Sequence, residues 1–226
     1  MNGGRTNDVL LNSCPSGWSG LGANCYKAFI ITPSPTTPPL TFDQAQAECE
    51  SYNGRLAQPK DQAINDHIVG LRNAGNDQWA AWIGITDEVE GDHRFLDGEQ
   101  VLVYDNWAQN EPDEAPGEAD CVRIEANLVS SPQFANQWRD YPCNLPSIAY
   151  ICELQGCPAA PPDHPPCVEG ICFDPPPFNN GDNCIYRCSR NCTGALSATI
   201  VTCNNGAWDG EVPVCESEDR DWEDEG

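Results

Sequence analysis

Apolar residues fall into two helical stripes early in the chain and into short strand-like runs later. Phe42, Ala45, Cys49 and Tyr52 recur at i, i+3, i+7 and i+10, one face of a helix that Thr41 can cap and Asn53-Gly54 ends. Ile64, Ile68 and Leu71 repeat at i, i+4 and i+7, with Asp61 near the start of this second helix. Trp79 to Ile85, Gln100 to Tyr104, Cys121 to Ile124 and Ile148 to Cys152 read as strands. Helices ahead of strands, with turns between, favour an α+β fold over a parallel βαβ order. Residues 31–40, rich in Pro and Thr, read as an extended surface loop and a candidate for O-glycosylation.

Cysteine placement divides the chain. Of its 14 cysteines, Cys14, Cys25, Cys49, Cys121, Cys143 and Cys152 are widely spaced, as in a domain with its own core. Cys157, Cys167, Cys172, Cys184, Cys188, Cys192, Cys203 and Cys215 crowd together, as in a small module held by bridges. The expected organisation is an N-terminal extension over 1–13, a first domain over 14–153, a module over 154–215 and an acidic tail over 216–226. Glu153-Leu154-Gln155-Gly156 reads as the link. Cysteines at this density, with 20 Pro and 19 Gly, point to a secreted, extracellular protein. With three His and no CxxC pair, zinc-bound thiols are disfavoured. The start, MNGGRTNDVLLNSC, has no signal-peptide pattern and reads as a mature or excised ectodomain with an added Met.

Charge narrows the partners. The formal net charge is −24, which repels phosphate backbones and anionic lipid headgroups, so neither nucleic acid nor a membrane surface is an expected partner. No apolar run approaches the length of a membrane span. The tail ESEDRDWEDEG reads as a solvated stalk, with Trp222 exposed. No HExxH, GxSxG or P-loop occurs, and His67, His93 and His164 have no expected nucleophile partner, so an enzyme is not expected.

FDQAQAECESYNGRLAQPKDQAIND, WIGI at 82–85, NEPDE at 110–114, DCVRI, QWRDYPC and YICE follow in this order. In that order they resemble a C-type lectin domain, over about residues 14–152. The resemblance implies an α+β fold with two helices, antiparallel sheets and a long calcium-binding loop. It also implies the bridges Cys14–Cys25, Cys49–Cys152 and Cys121–Cys143; six cysteines by themselves allow 15 connectivities. It makes Trp18, Trp82, Trp107 and Trp138 packing residues. Cys157-Pro158, Tyr186-Arg187-Cys188, Cys203 to Trp208 and Pro213-Val214-Cys215 resemble a sushi (complement control protein) module, small, all-β and disulfide-rich. That resemblance implies Cys157–Cys203 and Cys188–Cys215. Cys172–Cys184 resembles an extra bridge of selectin sushi modules, and Cys167–Cys192 remains. The order is similar to selectins without their epidermal-growth-factor-like module. Asn191-Cys192-Thr193 is a glycosylation sequon.

The segment Glu111 to Asp120 holds five carboxylates in ten residues, either a solvated acidic loop or a site for calcium, which takes several hard oxygen ligands. In C-type lectins a Glu-Pro-Asn or Gln-Pro-Asp triplet, a later Glu and an Asn-Asp pair hold a calcium whose shell sugar hydroxyls complete. Glu111, Asp113 and Asp140 match ligand positions. Pro112 stands at the family's proline, whose preceding peptide is cis. Two positions depart: the later Glu falls at Ala119, with Glu118 one residue early, and the Asn of the pair falls at Arg139. Either Glu118 and Asp140 sustain a weakened calcium site, or Arg139 takes the ion's place by pairing with Glu111 or Asp113. The mixed triplet leaves the sugar open, and Arg139 opens the way to an anionic one. An auxiliary calcium site is implied at Asp87, Glu90, Glu114 and Asp120.

The expected function is calcium-dependent recognition of a glycan, neutral or anionic, for adhesion or innate immunity. Two alternatives compete. One is a lectin-like protein binder, acting through the sushi module or a lectin face. The other is a biomineral or ice-surface matrix protein without calcium-dependent sugar binding.

Overall fold

The computed structural model describes residues 14–87, 92–101, 103–113, 120–128, 130–157, 167–173, 178, 180–190, 192–194, 198–204 and 206–217. The chain divides into two compact units, one from Cys14 to Leu154 and one from Gln155 onward.

The first unit runs β1 (Ser19–Leu21), β2 (Asn24–Ile30), α1 (Phe42–Glu50), β3 (Arg55–Leu56), α2 (Gln62–Asn76), β4 (Ala81–Thr86), β5 (Arg94–Phe95), β6 (Asp120–Ile124), β7 (Trp138–Pro142) and β8 (Ala149–Leu154). Both expected helices form with their caps. Thr41 and Gln44 close a reciprocal capping box on α1, and Asp61 accepts the Ile64 N–H at 2.8 Å on α2. Such caps are each worth about 1 kcal/mol. Tyr52 lies beyond α1, in the turn that follows, where Asn53 adopts φ 57°. It is 43% exposed and stacks on Phe29 at 5.4 Å rather than extending the buried stripe.

The sheet order is β1-β2-β8-β4-β6-β7, with β3 on β8 and β5 on β4. β4 and β8 pair in parallel, and the other pairs are antiparallel. Two expectations need correction. Strands come before the helices as well as after them: β2 pairs along β8 from Cys25–Leu154 to Ile30–Ala149. Lys27 and Ala28 blur the alternation there, so the sequence hides the strand. Gln100 to Tyr104 does not form a strand: Gln100 makes only an isolated bridge to Arg94, and Val103 is 98% exposed. Among the described residues the run meets β5 only at its start, where Val101 N donates to His93 O at 3.1 Å, and Val101 and Tyr104 lean on the core. The boundary between the two units falls within the expected link, after Leu154, and Glu153 and Leu154 are buried at the end of β8.

One core packs α2 against the sheet through Ile68, Ile83, Ile85, Val122, Ile124, Trp138 and Ile151. A second joins α1 to Leu56, Trp82 and Tyr150. Cys49–Cys152 ties α1 to β8 across 103 residues, a closure worth about 4–5 kcal/mol in the chain-entropy model. Cys14–Cys25 and Cys121–Cys143 are the unit's other bridges.

The second unit contains β9 (Val168–Cys172), β10 (Asn183–Cys188), β11 (Cys192–Gly194), β12 (Thr199–Asn204), β13 (Ala207–Asp209) and β14 (Cys215–Ser217). They form a four-stranded sheet, β13-β12-β10-β9, and a β11-β14 pair. Val168, Phe178, Tyr186 and Val201 make a small core on which Trp208 packs, its ring 5.0 Å from Phe178. So small a core gains from covalent support, and four disulfides supply it: Cys157–Cys203, Cys167–Cys192, Cys172–Cys184 and Cys188–Cys215. Among the described residues no helix is long and apolar enough to cross a membrane, and seven disulfides suit an extracellular, oxidising setting.

Candidate functional site

Strand β7 is the platform of the site. Its alternation buries Trp138 and Asp140 and leaves Arg139 half-buried. The strand's start is braced from three sides. Trp138 donates its indole N–H to Asn65 Oδ1 on α2 at 2.9 Å. Trp138 N donates to Asn106 O at 2.7 Å, and Ala108 N donates to Trp138 O at 2.9 Å. The rings of Tyr104 and Trp107 meet Trp138 edge-on at 5.6 and 5.8 Å. Just before the strand, Asn136 sits at φ 63°, and its side-chain oxygen accepts from Arg72 and Asn73.

The segment at 106–108 therefore lies along the start of β7, and the turn after it delivers Glu111. Asn110 takes φ 67°, Glu111 N donates to Ala108 O at 3.0 Å, and the Glu111–Pro112 peptide is cis. Oxygens of Glu111, Asp113 and Asp140 then all lie within 4.8 Å of one another. Asp113 is exposed and Asp140 buried, while the Glu111 side chain is only 5% exposed.

Glu111 is the electrostatic centre of this group. Burial, the neighbouring Asp140 and the negative charge of Asp113 push its carboxyl up to about 8, against the pull of Arg139. Arg139 Nε lies 2.8 Å from Glu111 Oε1, yet its N–H is not aligned for a hydrogen bond. The contact is an ion pair by distance alone. Glu111 Oε2 is buried and receives no hydrogen bond from a protein donor. It faces other acceptors, so only a shared proton or a cation can satisfy it. Three hard carboxylate ligands around a needy oxygen suit calcium, and Glu111, Asp113 and Asp140 are the residues that would hold it.

Of the remaining expected ligands, Asp87 and Asp120 have a described backbone. Asp87 follows β4 and is buried. Asp120 begins β6, with only its backbone described. Glu90, Glu114, Glu118 and Asn191 lie outside the described residues. Sequence reasoning missed the braces Asn65, Arg72, Asn106 and Asn136. Arg72 was the findable one, because it falls four residues after Ile68 on the apolar stripe of α2 and is fully buried. Of the tryptophans, Trp82 and Trp138 are core, and Trp18 and Trp107 pack at its edge.

Comparisons with known proteins agree with this architecture. The family model described as the Lectin C-type domain matches residues 38–154. A perlucin-like protein of Mytilus galloprovincialis is 27% identical over 142 residues, covering 62% of this chain and 82% of its own. The cow C-type carbohydrate-recognition domain of CD23, solved in the presence of a GlcNAc2Man3 oligosaccharide, superposes with a TM-score of 0.51 at 25% identity, over 64% of this chain and 97% of that one. The SPL-1–GlcNAc complex gives 0.53 at 25%, over 64% and 96%. Human lithostathine gives 0.52 at 24%, over 65% and 93%, a likeness of fold. Cap, sheet order, braced β7 platform and matched residues converge: the chain belongs to the C-type lectin domain family, whose members are binding proteins and not enzymes.

Proposed function

We propose that this protein is a secreted lectin that recognises glycans through a calcium ion held by Glu111, Asp113 and Asp140. One observation carries the reading: three carboxylates converge within 4.8 Å around a buried Glu111 oxygen that no protein donor reaches. Bound there, calcium supplies a Lewis-acidic centre for vicinal sugar hydroxyls. The protein's own carboxylates accept hydrogen bonds from the same hydroxyls, and Trp107 and Trp138 hold the platform in place. Two relatives of similar fold were solved with GlcNAc or a GlcNAc-containing oligosaccharide, which supports a saccharide ligand. Glu118 is a further ligand in this reading. Asp87, Glu90, Glu114 and Asp120 form an auxiliary calcium site, and Asn191 carries a glycan.

The second unit is read as a sushi module over 155–215, following a lectin domain over 14–154, with 1–13 and 216–226 as flanking segments. Two small sheets and four disulfides support that reading. It offers a surface for protein partners in recognition or adhesion.

A second reading has one specific observation in its favour, the Arg139–Glu111 ion pair. It supplies positive charge without calcium and suits a lectin-like domain that binds protein, mineral or ice. A glycan array on the intact protein, in calcium and again in EDTA, separates the two. Binding lost in EDTA supports the lectin. Binding to no sugar in either condition, by folded protein, overturns it.

A further inference from the structure

We infer that Arg139 is a resident competitor for the cation: its guanidinium holds Glu111 until calcium displaces it, and this exchange sets the calcium affinity of the site. The inference rests on the calcium-site reading above.

Position comes first. Arg139 precedes Asp140 on β7, and its Nε reaches 2.8 Å from Glu111 Oε1 while Oε2 of the same carboxyl is left without a donor. One positive charge therefore occupies the edge of a three-carboxylate cluster and meets only one oxygen of Glu111. A divalent ion there doubles the charge and can touch oxygens of all three residues, which a planar guanidinium at one edge does not.

The way the pair is made favours exchange. A guanidinium that binds a carboxylate tightly does so through two aligned hydrogen bonds. Here the single close N–H is misaligned, so the attraction is Coulombic and a second cation can replace it. The arginine side chain is 36% exposed, against 5% for Glu111, so it can leave without opening the core. A resting place is at hand, since its Cζ already lies 5.7 Å from the centre of the Phe134 ring. Across the β6–β7 ladder, Arg139 faces Arg123, which is neutralised by Glu125 at 2.7 Å. Glu111 thus has Arg139 as its ion-pair partner, and Arg123 is engaged elsewhere.

The test uses the full chain and calcium alone. Calcium titrations by calorimetry compare wild type with Arg139→Gln and Arg139→Lys, and an Asp113→Asn variant assigns the heat to this site. Arg139→Gln should tighten calcium about tenfold. Without calcium it should melt at a lower temperature than wild type, because the acidic cluster loses a positive charge at its edge, and calcium should restore it. Arg139→Lys, which keeps the charge, should stay near wild type. Equal calcium affinity in wild type and Arg139→Gln, with heat that Asp113→Asn abolishes, overturns the inference and leaves the calcium site standing. Heat in none of the variants overturns both.

Discussion

Trp138 and Asn65 join the site strand to helix α2 through one buried hydrogen bond, indole Nε1 to Oδ1 at 2.9 Å. Asn65 is 3% exposed and Trp138 fully buried, so neither has water as a substitute partner. Asn65→Ala strands the indole N–H and should cost about 1–3 kcal/mol of stability. Urea unfolding followed by tryptophan fluorescence measures the loss. Because Arg139 and Asp140 follow on the same strand, the variant should also bind calcium more weakly. A stability loss with unchanged calcium affinity would show that the brace serves the core alone.

The raised Glu111 carboxyl gives the site a pH signature. Calcium must displace its proton below about pH 8, so affinity should climb with pH at up to about tenfold per unit and level off above that value. The metal-free protein should behave in the opposite sense. A carboxyl that holds its proton more firmly folded than unfolded stabilises at low pH. That contribution fades as pH rises from the ordinary value of 4.5 towards about 8. Calorimetry and melting at pH 6, 7, 8 and 9 test both slopes. Affinity that is flat across this range would exclude Glu111 as a ligand that binds a proton in the free protein.

Far from the site, Arg55 Nε meets Glu153 Oε1 at 2.7 Å, with Glu153 2% exposed. Gln58 N donates to the other carboxylate oxygen at 3.0 Å. Burial pushes the Glu153 carboxyl up, and Arg55 draws it back. Arg55→Met should cost about 3–5 kcal/mol near neutral pH, because it leaves a buried charge unpaired. The penalty should shrink at pH 4, where Glu153 can take a proton. A penalty independent of pH would mean that lost packing dominates.

Gly84, in the middle of β4, leaves no room for a side chain. A Cβ there would lie 2.5 Å from Leu56 O and 3.1 Å from Gln58 Cγ. Gly84→Ala must push β3 away from β4 and should cost about 1–3 kcal/mol, read as a lowered melting temperature. An unchanged melting temperature would mean that β3 yields freely.

The two helices were legible because local signals decide them: Thr41 and Asp61 at the caps, and apolar residues spaced to face one side. β2 and β7 were not. Asn-Cys-Tyr-Lys-Ala-Phe-Ile and Trp-Arg-Asp-Tyr-Pro carry weak local patterns, and each becomes a strand because β8 or β6 lies alongside. The opposite failure, at residues 100–104, has the same cause, since β5 is only two residues long and gives the run a partner at its start alone. At the site, Glu111, Asp113 and Asp140 stood out by their chemistry. Their support did not, because Asn65, Asn106 and Asn136 act through single hydrogen bonds between distant segments, which leave no periodic trace.

Strand β8 has a mechanical consequence. It is the last strand of the lectin domain and is clamped on both sides, antiparallel to β2 and parallel to β4. Tension transmitted from residue 155 onward enters the domain along this strand. Two residues before its end, Cys152 is bonded to Cys49, so the load passes covalently into α1 before it reaches most of the β2–β8 ladder. Force applied to the C-terminal side of the domain is therefore carried by a covalent bond into helix α1, and most of the β2–β8 ladder is spared from being peeled apart one hydrogen bond at a time.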